Sequence, residues 1–339
     1  MNRALFTALA LAIPTFASAD VPEIVRRNAP VFVSRKDQIA NPNTDRILGV
    51  GYSIATAIDG TQTIRYTTFF SDEDSMHSTE GTDHQMARYG RRLDIEWTYE
   101  VRIDPQSGKG HHRRYHCDVA LGVGHRTCSF SGKFYRDTDR PILYVNARHN
   151  IFGDRPKFPY GTASGRRTVI DPSFEIPYPK SRDMIPIENP EMLRTSDEEL
   201  AREGKLSSPS TEYAYLRIRG TLVGFPHLSL IAPDGTVYQN GKHPNDTLRE
   251  MGLDLWRRES VVGIELPESV RFALKSGVAS FRLGISGALA FAPPLAKITL
   301  DDVGLYLVDR APNGTYVTTD LSSRIRCSDP KDLGTCSVD

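Results

Sequence analysis

After the first twenty residues of this 339-residue chain, no run approaches the roughly 20 consecutive apolar residues that a bilayer-spanning helix needs. Net charge is missing too. The 42 basic and 42 acidic residues cancel, so no global field draws nucleic acid or an anionic membrane. Cysteine is scarce, four in all, and neither close pair has the C-x-x-C spacing of a metal or dithiol site. There is no G-x-S-x-G elbow, no H-E-x-x-H and no G-x-x-x-x-G-K-[ST], which sets aside serine esterases of that fold, zincin proteases and P-loop enzymes. No internal repeat or low-complexity segment is present.

The N-terminus is well marked. Arg3 precedes the apolar run Ala4 to Phe16, and Ala17-Ser18-Ala19 offers small residues to a signal peptidase ahead of Asp20. Residues 1–19 therefore read as a signal peptide, and the mature chain is expected to be soluble and secreted or periplasmic. In an oxidising compartment, Cys117 with Cys128 and Cys327 with Cys336 are expected to form two local disulfides, each stabilising by about 3 kcal/mol.

The expected fold is mainly β, two β-sandwich-like domains joined by a Pro-rich linker, and the second is expected to be jelly-roll-like because its ending Ile298-Thr-Leu-Asp-Asp-Val-Gly-Leu-Tyr-Leu307 resembles the last strand of jelly-roll carbohydrate-binding modules. The N-terminal β domain is placed at 20–152, the linker at 153–210, the C-terminal sandwich at 211–312 and a disulfide-bearing tail at 313–339. Leu48 to Ile54 and Thr63 to Phe70 read as a hairpin turned by Asp59-Gly60, and residues 71–90 as a long polar loop. Leu93 to Ile103 alternates, with Leu93, Ile95, Trp97, Tyr99, Val101 and Ile103 on one face and Asp94, Glu96, Thr98 and Glu100 on the other. Eight prolines interrupt 153–210, where only Ser196 to Gly204 reads as helical, with Ser196 as its cap. Ser269 to Leu274 reads as one of several short strands beyond Tyr213.

Seven of nine histidines fall between His77 and His149, which makes the first domain the place to look for chemistry. Asp72, Glu73 and Asp74 end one strand, His77 and His84 follow, and Asp94 and Glu96 open the next. Adjacent strands would bring Asp72, Asp74, His84, Asp94 and Glu96 within reach of one cation. Oxygen ligands with one imidazole suit calcium, magnesium or manganese better than structural zinc. The same residues also read as a solvated loop and a polar strand face partnered by Arg88, Arg91 or Arg92. Lys109 to His116 is a basic run that fits a hairpin tip better than a nucleic-acid footprint, so no nucleic-acid partner is expected.

Phe69-Phe-Ser-Asp-Glu-Asp74, His84, Arg91-Arg-Leu-Asp-Ile-Glu-Trp97 and Arg140-Pro-Ile-Leu-Tyr-Val-Asn-Ala-Arg-His149 stand in the order seen in two families. Over about residues 64–150 the chain resembles secreted necrosis- and ethylene-inducing-like proteins and plant vacuolar-sorting-protein-62-related domains. That resemblance implies a divalent cation on Asp72 or Asp74, His84, Asp94 and Glu96, used to bind a sphingolipid sugar headgroup. The chain departs from the pattern: the compact histidine-bearing heptapeptide is absent and His84 lies ten residues before Asp94. The leading expectation is an exported protein that binds a divalent cation and, through it, a glycan or lipid headgroup. The rivals are a metal-dependent hydrolase of glycosidic or phosphoester bonds, with His84, His149 and Glu96 as candidate catalytic groups, and a structural envelope protein.

Overall fold

β-branched and aromatic residues dominate 47–103, and there the chain folds into a meander of β2 (Ile47–Thr56), β3 (Gln62–Phe70) and β4 (Asp94–Ile103), joined by β5 (Gly110–Asp118). In the computed structural model, which describes residues 21–34, 45–72, 79–118, 125–145, 150–156, 167–177, 180–223, 226–241, 259–287 and 297–339, the protein is mainly β. The signal segment 1–19, the 73–78 segment with Asp74, and His149 lie outside the described residues.

The meander continues into β8 (Phe152–Gly153), β7 (Ile142–Val145), β1 (Val31–Val33) and β9 (Arg167–Val169), while β10 (Phe174–Glu175) pairs with β2 and β6 (His125–Ser129) with β5. This ten-stranded sheet curls round a core that includes Phe32, Val50, Ile64, Tyr66, Phe70, Tyr99, Val101, Leu143 and Phe152. Val25 of α1 (Glu23–Asn28) closes it, and the Tyr66 hydroxyl donates to the Val25 carbonyl at 2.7 Å. The expected disulfide Cys117–Cys128 joins β5 to β6.

A β-bulge divides β4 in two. Tyr66 lies opposite Tyr99 but Thr67 opposite Trp97, so Thr98 is an extra residue and side-chain parity reverses across it. Tyr99, Val101 and Ile103 point into the curled core, whereas Leu93 and Ile95 pack on the other face. The uninterrupted alternation expected from the sequence is therefore broken, and Asp94 shares the face of Phe70, its partner inside the curl. Glu100, beyond the bulge, accepts from Arg65 at 2.7 Å and from Arg114 on the neighbouring strands, and these hydrogen bonds hold its carboxyl below the ordinary range despite burial.

The second half is a sandwich. A sheet of β14 (Glu259–Glu265), β11 (Tyr213–Val223), β16 (Lys297–Arg310) and β17 (Tyr316–Asp320) faces one of β13 (Val237–Gln239), β12 (Pro226–Ile231), β15 (Phe281–Gly287), β19 (Cys336–Val338) and β18 (Ile325–Cys327). Their shared core includes Leu216, Leu230, Ile264, Leu283, Leu305 and Val338. Residues 313–339 supply β17, β18 and β19, so what reads as a tail belongs to both sheets, with Cys327–Cys336 bridging β18 and β19.

A third core joins the halves. Phe69, Met86, Leu93 and Ile95 meet Tyr215, Val261 and Val308 from the outer face of the four-stranded sheet, with Met184, Ile187 and Leu193 between them. Burial on both faces explains the near-continuous apolar runs in β11, β14 and β16. Part of the stretch expected to be an extended linker is thus packed: α3 (Met184–Glu188) and α4 (Pro190–Arg202) lie in it. Proline occupies the first turn of α4, where no N–H is missed, and Ser196 sits buried in mid-helix rather than at a cap.

Two further expectations change. Within the presumed loop 71–90, α2 (Thr79–Tyr89) forms although its apolar residues show no helical stripe; Met86 alone anchors it in the third core. Ser269 to Leu274 belongs to α5 (Glu268–Ser276), where Val270, Ala273 and Leu274 share a face and Gly277 at φ 70° ends the helix. Helix α2 docks where Gly263 of β14 has no side chain, since a Cβ there would lie 2.7 Å from Met86 Sδ and 2.9 Å from the Met86 carbonyl oxygen. Gly263→Ala should therefore cost about 1–3 kcal/mol in urea denaturation. An unchanged midpoint would show that the close approach is not needed.

Candidate metal centre

The open end of the β2–β3 hairpin carries two aspartates. From Thr56 to Gly49 the strands pair in one register, but Leu48 is bulged, so Ile47 lies opposite Phe70. The Ser71 N–H donates to the Arg46 carbonyl at 2.9 Å and the Arg46 N–H to Ser71 Oγ at 2.7 Å. One step further brings Asp45 alongside Asp72. Like charges opposed across a strand pair destabilise it unless something neutralises them.

Helix α4 brings in a third carboxylate, Glu199. Asp45, Asp72 and Glu199 each offer one oxygen, all within 4.8 Å of one another, and the residues are 2 %, 1 % and 0 % exposed. Among the described residues, one cation pairs with Glu199 and one with Asp72. Arg46 Nε donates to Glu199 Oε2 at 3.1 Å, and Lys205 Nζ lies 3.1 Å from Asp72 Oδ2 and 2.5 Å from Glu203 Oε2. Asp72 Oδ1 and Glu199 Oε1 are buried and accept no hydrogen bond. Burial raises the Glu199 carboxyl above its ordinary value and the Asp72 charge adds to this, against the nearby Ser71 hydroxyl and the bond from Arg46 Nε. For Lys205 burial works downward, and the bonds and charges of Glu203 and Asp72 overcome it.

This buried acidic triad could hold a metal ion. Its donors are all carboxylate oxygens, which fits calcium, magnesium or manganese and not a structural zinc.

The other expected ligands are placed elsewhere. Asp94 is buried next to the triad and not in it: Asn150 Nδ2 donates to Asp94 Oδ2 at 3.1 Å and to the Asp72 carbonyl at 3.0 Å. Asn150 adopts φ 53°, a left-handed conformation that asparagine tolerates better than most residues. The buried Arg91 guanidinium donates to Asp183 at 2.7 Å and feels the Asp94 charge as well. His84 Nε2 lies on α2, 2.9 Å from Arg88. Glu96 pairs with His116 Nδ1 at 2.7 Å, and the His116 ring stacks on Trp97. Of the described residues expected to share one cation, only Asp72 belongs to the triad; His84, Asp94 and Glu96 have separate protein partners. The basic run 109–116 lies mainly along β5, with Arg113 near Asp139 and Arg114 on Glu100.

Asp94→Ala, harmless if Asp94 lay on a solvated strand face, should now cost about 1–3 kcal/mol, because it removes a buried acceptor from Asn150 and a counter-charge from Arg91. Thermal melts of the variant check this, and a loss too small to measure would return Asp94 to the surface. Asp45 was accessible to sequence reasoning only by carrying the hairpin register past Ile47, and Glu199 carried no local signal. Comparison with protein-family models, with curated proteins and with solved structures finds no match for this chain.

Proposed function

We propose that this is an exported protein in which Asp45, Asp72 and Glu199 hold a divalent cation, calcium in preference to magnesium or manganese. The observation that carries the reading is the pair of buried carboxylate oxygens, Asp72 Oδ1 and Glu199 Oε1, that accept no hydrogen bond. Each such atom costs about 1–3 kcal/mol, which a bound cation offsets. Arg46 pairs with Glu199, and Lys205 is shared between Asp72 and Glu203. Calcium accepts an all-protein oxygen cage more readily than magnesium, which keeps several waters.

The burial of all three carboxylates favours a closed, structural ion that ties the β2–β3 hairpin to α4. The three side chains supply only part of the roughly 6–8 oxygens that calcium takes, and their burial keeps a bulky headgroup from the remaining positions. Export rests on the N-terminal segment 1–19 and on the two disulfides Cys117–Cys128 and Cys327–Cys336. Elemental analysis of protein purified without chelator, followed by calorimetric titration of the stripped protein with calcium and with magnesium, tests the site. One equivalent bound in wild type and none in Asp72→Asn or Glu199→Gln is expected. No affinity in wild type ends the proposal.

A further inference from the structure

Helix α5 buries only one of its sides. Leu274, with Val270 and Ala273, turns into the sandwich core, whereas Glu268, Arg271, Phe272 and Lys275 follow the i, i+3, i+4, i+7 spacing of a single helical face. That face lines a half-open cleft of about 580 Å³, which Glu212, Asp309 and Arg310 also line. The size is ordinary for a small-ligand site, where roughly 300–1,000 Å³ is usual.

Charge in the cleft cancels, since Arg271, Lys275 and Arg310 stand against Glu212, Glu268 and Asp309. Asp309 accepts from Arg271 at 2.8 Å and from Lys275 at 2.7 Å, and Arg271 also donates to the Val308 carbonyl at 2.7 Å, which fixes these groups in place. Beside them Phe272 is 66 % exposed, a large exposure for an aromatic residue. A cleft with no net field has little means of selecting an ion. Arg271 and Asp309, held by these bonds, and the exposed Arg310 flank an exposed aromatic residue, an arrangement that suits a neutral molecule with one apolar face and several hydroxyls, and a sugar ring has both.

We propose that this cleft binds a neutral glycan, with a sugar ring stacked on Phe272 and its hydroxyls bonded to Asp309 and Arg310. The site needs no cation and is independent of the triad. The test is calorimetric titration of the whole EDTA-treated protein with cellohexaose, maltohexaose and chitohexaose, and with polygalacturonate as the anionic comparison. Binding of at least one neutral hexasaccharide is expected. Phe272→Ala should weaken it by about tenfold or more through loss of the ring's apolar contact, and Arg310→Ala should weaken it as well. Val278→Ala, at an exposed aliphatic residue outside the cleft lining, should leave it unchanged. The assignment is overturned by any of three results: no neutral probe binds, Phe272→Ala binds as wild type does, or polygalacturonate binds more tightly than every neutral probe. Binding that appears only after calcium is added also overturns it and moves the glycan to the triad.

Discussion

Calcium at about a hundred times its dissociation constant should raise the unfolding free energy of the wild-type protein by about 2.7 kcal/mol and leave Asp72→Asn and Glu199→Gln unmoved. The stabilisation arises because the three ligands converge only in the folded chain: two meet through a bulged hairpin and the third arrives on α4. The metal-free protein carries a pH signature of opposite origin. Burial raises the Glu199 carboxyl in the folded state, so folding favours the protonated form there. The contribution of Glu199 is then fully present below its unfolded value of 4.5 and is lost as pH rises through the folded value. Measured against Glu199→Gln, which cannot titrate, metal-free wild type should lose relative stability as pH rises above about 4.5, and saturating calcium should restore it. Parallel pH profiles for the two metal-free proteins would remove Glu199 as a buried titrating group.

Arg92→Met should cost about 3–5 kcal/mol, the penalty for stranding a buried charge. Arg92 is 1 % exposed and joins all three parts of the molecule. Its guanidinium sits 3.7 Å from Asp197 on α4, donates to the Tyr213 hydroxyl at 3.0 Å at the start of β11, and packs over the Tyr213 ring. Asp197 also accepts from the Ser210 N–H at 2.6 Å and from the Tyr316 hydroxyl at 3.0 Å. Burial pushes the Asp197 carboxyl up, and Arg92 is the largest opposing influence, so removing the cation leaves an acid that must take a proton or unfold the junction. Urea denaturation measures the loss, and the double variant Arg92→Met with Asp197→Asn should recover part of it. A loss below about 1 kcal/mol would mean that the third core alone holds the halves together.

Helix α4 ties the two expected results together. Asp197 and Glu199 lie two residues apart, hence roughly 200° round the helix, and serve different neighbours. One reaches the sandwich and the other the open end of the β2–β3 hairpin. Nothing in the sequence around them shows this, because both appear in an acidic helical segment that an exposed helix would carry equally well.

Local chemistry was sufficient for much of the fold. Asp59-Gly60 and the β-branched residues of 63–70 specify their hairpin, close cysteine spacing specifies both disulfides, and apolar patterning specifies a mainly β protein. These features depend on neighbours in the chain. Where partners come from a distance the sequence falls short: Met86 anchors a polar helix that has no apolar stripe, and Leu274 is buried by strands of the sandwich. The candidate site depends on one residue. With Leu48 in register, Asp72 would oppose Arg46; the bulge at Leu48 shifts the pairing so that it meets Asp45 instead. A second bulge, at Thr98, turns Asp94 inward. The sequence by itself determined the strands, the bridges and an acidic strand end, because each follows from short-range geometry. Only the tertiary structure decided which carboxylates converge, because a one-residue bulge reverses every side chain beyond it and Glu199 is brought to Asp72 by packing across a sequence separation of 127, which spacing alone cannot interpret.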